Sequence, residues 1–114
     1  VNGQFPRRGE IWLGQFPSDP KIRPALIVSI DNRNQFSNNV LAVPLTTNLR
    51  PADTHILIPR GHCGLSSNSM ARYENLSYTL RIFLRRGHFS GAISAKLMRQ
   101  IELAIMLAVG ISAD

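Results

Sequence analysis

Pro24-Ala25-Leu26-Ile27-Val28-Ser29-Ile30 is apolar at nearly every position and rich in β-branched side chains. A strand with one face in water alternates apolar and polar residues, whereas a strand covered on both faces does not. The run therefore reads as a strand buried on both sides. Residues 40–45 (Val-Leu-Ala-Val-Pro-Leu) read as another strand. Ahead of both, residues 11–16 read as a strand entered from Arg7, Arg8 and a turn at Gly9. Between the two apolar runs, residues 31–39 are dense in Asn and read as a hairpin-type connection. Residues 54–58 alternate as a further strand. Residues 76–84 are the last long strand candidate, with 72–74 as a backward extension.

After these strands the period changes. Ser94 is placed to cap a helix over residues 95–109, which contain no Pro or Gly, and Gly110 follows where a helix ends. Leu97, Met98, Ile101, Ile105 and Ala108 fall on one helical face. Leu103, Met106 and Leu107 are apolar too, off that stripe. Such a helix is either sunk against a sheet alone or also touches a second subunit. About five strands and a closing helix give the expected fold: mainly β with a C-terminal helix, as a small, strongly bent antiparallel barrel. Functional loops would gather at one end of it.

The 114 residues are read as one domain, 1–114, with an ordinary globular composition. Charge is lopsided, with 13 Lys+Arg against 7 Asp+Glu and a net charge of +6. Eleven of the thirteen cations are Arg. Guanidinium presents a planar fork that matches phosphate, so this bias leans toward phosphate recognition, with a solvated surface as the alternative. Cys63 is the sole cysteine, which rules out an intrachain disulfide and fits a reducing cytoplasm. No apolar run approaches the roughly 18 residues a bilayer span needs, and residues 1–6 lack the apolar stretch of a signal peptide.

Three motifs then occur in order. Arg8-Gly9-Glu10-Ile11-Trp12-Leu13, Arg23-Pro24-Ala25-Leu26-Ile27-Val28-Ser29 and Val43-Pro44-Leu45-Thr46 resemble the opening strand, the RPA strand and the PLT strand end of the MazF/PemK toxins. The resemblance covers roughly residues 7–111. It implies an SH3-like barrel (the CcdB/MazF-like fold), a homodimer, and a sequence-selective endoribonuclease acting on single-stranded RNA. It also implies a cognate antitoxin whose acidic, disordered tail crosses the RNA groove. By motif, Arg23 and Thr46 match the family's catalytic pair. Asn75, within Tyr73-Glu74-Asn75-Leu76, falls where relatives place an amide that contacts RNA. Lys21 and Thr47, beside the catalytic pair, and the cluster Arg81, Arg85 and Arg86 are further expected RNA contacts. The chain departs from the family in the connection Pro17-Ser18-Asp19-Pro20-Lys21-Ile22, which is short and proline-stiffened where relatives carry a longer loop.

RNA carries its own nucleophile, the ribose 2′-hydroxyl, so the reaction needs no metal or other cofactor in principle. Arg23 suits stabilisation of phosphorane charge, and its high pKa makes it an awkward base. Thr46 can donate to the phosphate. Paired imidazoles can run the same reaction, but spacing brings no two of His55, His62 and His88 together, and each reads as a surface histidine. His62 and Cys63 are adjacent without a second ligand pair, so no metal site is expected. Phe16, Phe36 and Tyr73 could stack bases or fill a core, and Trp12 reads as packing. Two rival readings stay open: a non-catalytic toxin of the same fold that binds DNA gyrase, as CcdB does, and an inactive relative that still binds RNA.

Overall fold

A computed structural model describes residues 4–17 and 19–112. Ser18 of the 17–22 connection and the first three residues, part of the segment read for a signal peptide, lie outside the described residues. Among the described residues six strands form: β1 (Ile11–Phe16), β2 (Asp19–Ile27), β3 (Asn39–Thr46), β4 (His55–Ile58), β5 (Ser69–Arg72) and β6 (Ser77–Leu80). Two α-helices join them, α1 (Asp31–Phe36) and α2 (Ala95–Ala108). The sheet runs β1-β2-β3-β5-β4, with β6 also paired to β3, and every ladder is antiparallel.

The expected barrel is not formed; the sheet is open and the architecture is mixed α and β. β6 is only four residues long and passes into a 3₁₀ turn at Arg81–Phe83. A ladder along the outer edge of β1 is thereby reduced to one bridge between Leu13 and Arg85, with amide–carbonyl contacts of 2.7 and 3.0 Å. At the other end of the path β4 pairs β5 alone among the described strands.

The two-sided reading of the apolar run holds for its middle. Ala25, Leu26 and Ile27 are fully buried. Leu26 faces a core shared with Ile11, Val43, Leu45 and Ile101, while Ala25 and Ile27 face a second core with Phe16, Val40 and Ala42. This is the period-2 alternation of a pleated strand with apolar matter on both sides. The strand stops at Ile27, and Ile30 is exposed. Residues 31–36, read as a turn, form α1 instead. Asn34 is fully buried beneath it, donating to the Ser29 carbonyl at 2.9 Å and accepting from the Ser29 hydroxyl at 2.5 Å. The strand read over 76–84 is cut short by the 3₁₀ turn at Arg81–Phe83, and its backward extension over 72–74 runs into another at Tyr73–Asn75.

α2 begins at Ser94, whose hydroxyl accepts from the Leu97 amide at 3.1 Å, a cap worth about 1 kcal/mol. It ends before Gly110, whose φ of +82° suits glycine. Met98, Ile101 and Ala104 are buried against the sheet. Truncating Ile101, which is fully buried, to Ala would cost about 2–5 kcal/mol. Leu107, Val109 and Ile111 remain exposed. Arg8, ahead of β1, ties the helix to the end of β2, with Nη2 donating to Glu102 at 2.9 Å and Nε to the carbonyl of Val28, the residue after the strand, at 3.0 Å. No helix among the described residues is long and apolar enough to cross a membrane.

Candidate active site

The β2–β3 ladder ends with Ala25 opposite Pro44. Two residues past that last pair, along each strand, stand Arg23 and Thr46, which the period-2 alternation puts on a common face. Both line a cleft of about 500 Å³, together with Phe16, Asp19, Arg72 and Glu74. Asn75 and Ser77 line it as well. The chain thus brings Arg23, Thr46 and Asn75 into one cavity from three separate segments.

Arg23 is oriented by Asp19. Its Nε donates to Asp19 Oδ2 at 2.5 Å. Among the described residues neither terminal nitrogen of Arg23 has a protein partner, which leaves the end of the guanidinium fork for a ligand. Asp19 Oδ1 also accepts from the Lys21 amide at 3.0 Å. The Arg23 hydrogen bond, and then the Lys21 amide, hold the Asp19 carboxyl below the usual carboxylate range. Thr46 Oγ1 accepts from the Asn48 amide at 3.1 Å. That bond fixes the oxygen and leaves the hydroxyl proton free to be donated.

The far wall is a second charged group. Glu74 accepts from the Thr54 hydroxyl at 2.8 Å and from His55 Nε2 at 2.7 Å. The His55 hydrogen bond is the main reason its carboxyl is pulled down to about 2. Arg72, at the end of β5, donates from Nη2 to the Asn48 carbonyl at 3.2 Å. The Asp19 carboxylate is thus matched by the Arg23 cation, and that of Glu74 by the His55 ring, a cation when protonated.

The remaining expected RNA contacts lie outside the cleft lining. Lys21 and Thr47 are exposed; Thr47 follows the cleft residue Thr46, and Lys21 lies two positions from both Asp19 and Arg23. Arg85 is exposed. The other two arginines of its cluster hold backbone together. Arg81 donates to the carbonyls of Gln35 and Ser37 at 3.1 and 3.2 Å. Arg86 donates to those of Ile11 and Gly91 at 2.7 and 2.5 Å, and stands 3.6 Å from Glu10. Arg8, Arg33 and Arg72 bind carbonyls in the same way. Part of the arginine bias is thus structural, because one planar fork reaches two acceptors where an ammonium cannot. Of the aromatics, Tyr73 and Phe16 are buried, Trp12 packs against the second core, and Phe36 is exposed.

Asp19, Arg72 and Glu74 were not singled out from the sequence as site residues, and His55, read as a surface histidine, instead has a side chain only 5% exposed. Asp19 precedes Arg23 by four residues, and a strand would separate them. His55 and Glu74 lie nineteen positions apart with no pattern linking them. Among the described residues no group of three or more His, Cys, Asp or Glu side chains is arranged to hold a metal ion.

Known structures share this arrangement of the chain. An endoribonuclease from a mycobacterial species, solved in complex with its cognate antitoxin, superposes with a TM-score of 0.80 at 25% identity. The match covers 96% of this chain and 99% of that one. A second structure, an endoribonuclease from a mycobacterial species, gives 0.78 at 25% identity over 96% of this chain and 95% of that one. The Mycobacterium tuberculosis toxin MazF-mt6 gives 0.77 at 24% identity over 90% and 98%, and speaks for the fold alone. No curated protein sequence matches. The model of the PemK-like, MazF-like toxins of type II toxin–antitoxin systems matches residues 7–109, nearly the whole chain. The chain belongs to that family of toxins.

Proposed function

We propose that this protein is the endoribonuclease toxin of a type II toxin–antitoxin pair, its whole length one toxin domain acting in the cytoplasm. The observation that carries the reading is that Arg23 and Thr46, each two residues past the last β2–β3 pair, line one cleft. The two mycobacterial endoribonucleases of the same fold support it.

The substrate is single-stranded RNA, and the cut is a transesterification. The 2′-oxygen attacks phosphorus, the bond from phosphorus to the 5′-oxygen breaks, and a 2′,3′-cyclic phosphate and a 5′-hydroxyl result. The proton lost from the 2′-hydroxyl is balanced by the one the 5′-oxygen gains. Arg23 presents its terminal N–H groups to the nonbridging oxygens as their charge grows, and Thr46 adds its hydroxyl. Donors held in place by Asp19 and the Asn48 amide need little reorganisation during the step. Asn75 contacts the RNA inside the cleft. Lys21, Thr47 and Arg85 flank the backbone, while Arg81 and Arg86 enter as supports of the chain. Neither a metal nor another cofactor takes part in this scheme.

A cognate antitoxin with an acidic, disordered tail is the proposed regulator, drawn to a surface of net positive charge. A homodimer is proposed through the apolar residues left exposed at and just past the end of α2, Leu107, Val109 and Ile111.

The test is incubation of the purified protein, freed of antitoxin, with a long single-stranded RNA in excess EDTA, followed by mapping of the cut ends. Discrete cuts with cyclic phosphates are expected. Intact RNA, or cuts that vanish with EDTA, would overturn the reading.

A further inference from the structure

His55 opens β4, and its side chain is only 5% exposed. Both ring nitrogens face oxygens that can only accept. Nδ1 lies 2.7 Å from the Arg50 carbonyl, and Nε2 lies 2.7 Å from Glu74 Oε2. A neutral imidazole carries one N–H and can serve one of them; an imidazolium serves both. Glu74 is a cleft residue, and the 3₁₀ turn that holds it also presents Asn75. Thr54 adds a hydroxyl to Glu74 and a carbonyl to the Tyr73 amide, at 2.8 and 3.0 Å. The connection between β3 and β4 and the Tyr73–Asn75 turn are thus joined through one ring. A bare carboxylate on that wall would repel a polyanion entering the cleft.

We propose that His55 is a positioning residue of the RNA cleft: as an imidazolium it clamps the Arg50 carbonyl to Glu74, covering the charge of that carboxylate and fixing the turn that carries Asn75. The inference rests on the nuclease reading of this cleft. Two charged groups face the ring, Glu74 from the turn and Arg72, its partner in the β4–β5 register. The Arg50 carbonyl and the Glu74 carboxylate raise the pKa of His55, against the opposing effects of its burial and of Arg72. The clamp is therefore closed at and below the ordinary histidine range, and opens as pH rises through the raised value. Opening uncovers the Glu74 charge, so RNA binding weakens more than turnover at saturation.

The experiment has two arms on the full chain. In the first, an NMR titration of the histidine rings compares the wild type with Glu74→Gln. His55 should titrate above the ordinary range in the wild type and fall in the variant; an ordinary value that ignores Glu74→Gln would overturn the inference. In the second, kcat and KM are measured on a short RNA carrying the cleavage site. His55→Gln should raise KM by about two- to five-fold, the scale of one partly exposed ion pair, with kcat little changed. Adding Glu74→Gln should return KM toward the wild-type value, which a merely structural loss would not do. Wild-type cleavage with KM unmoved in His55→Gln overturns the inference alone. A wild type that cuts no RNA removes the nuclease reading and the inference with it. Should His55→Gln fail to fold, the titration of the wild type and Glu74→Gln decides.

Discussion

Asp19 and Arg23 are four residues apart in a single strand, yet Arg23 Nε donates to Asp19 Oδ2 at 2.5 Å. An extended strand rises about 3.3 Å per residue, so side chains four apart should stand roughly 13 Å from one another. The register explains the contact. Gln15 pairs with Ile22 and Phe16 with Asp19, so Pro20 and Lys21 are extra residues that bulge β2. Proline suits such a place because it has no ladder amide to lose. The Gln15 side chain holds the bulge by donating to the Pro20 carbonyl at 3.0 Å. The bend turns Asp19 back onto Arg23 and points the arginine at the cleft. Asp19→Asn keeps the shape and loses the charge, and is expected to lower single-turnover cleavage about ten-fold, because a misaimed donor stabilises the transition state less well. An unchanged rate would show that Arg23 needs no such guide.

Thr46→Val removes a hydroxyl at nearly constant volume. The Asn48 amide loses its acceptor but lies at an exposed position where water can replace it. Stability should change by less than about 1 kcal/mol. Cleavage should fall by about 10–100-fold if the hydroxyl donates to the phosphate, and Thr46→Ser should retain most of the rate. Parallel melting and cleavage curves for the three proteins decide.

The His55–Glu74 pair makes stability depend on pH from both sides. His55 is raised above its ordinary 6.5, so its contribution is complete below that value and fades as pH climbs through the raised one. Glu74 is lowered from 4.5 to about 2, so its contribution is complete above 4.5 and fades as pH falls toward 2. The pair therefore stabilises most between 4.5 and 6.5. Urea midpoints measured across pH should show that plateau, and Glu74→Gln should flatten both flanks.

Asn34 holds α1 to the strands from a fully buried position. Its amide bonds Ser29 twice, and Ser29 Oγ in turn accepts from the Leu41 amide at 3.0 Å. Asn34→Leu leaves the Ser29 carbonyl and hydroxyl short of partners in a dry site. A loss of about 1–3 kcal/mol is expected in urea unfolding, with the cleft untouched.

The same residue shows what the sequence could not disclose. Asp31-Asn32-Arg33-Asn34 reads as a turn because short polar side chains compete with the helix for the backbone. The helix exists because Asn34 finds tertiary partners in Ser29, which no local pattern announces. β5 was missed for a related reason: Ser69–Arg72 is four residues long, too short for its alternation to stand out. β1 was legible from its entry through Arg7, Arg8 and the Gly9 turn, and α2 from a sustained period with Ser94 and Gly110 marking its ends. Closure of the sheet was overestimated because it depends on where β6 gives way to a turn. In the cleft, Arg23, Thr46 and Asn75 were legible through motif resemblance alone. Asp19 depends on a bulge, and His55 and Glu74 on the β4–β5 register, neither of which spacing reveals.

The most direct test of the whole account is the cleavage rate of Arg23→Ala beside the wild type, both refolded to strip any antitoxin and assayed on one mapped RNA. Arg23 is part-exposed at the cleft, so the variant should melt close to the wild type. Its rate should fall by about 10²–10³-fold, the loss typical of removing one preorganised donor to a developing oxyanion. A variant that melts normally and cuts at the wild-type rate would contradict the assignment of this cleft as the active site.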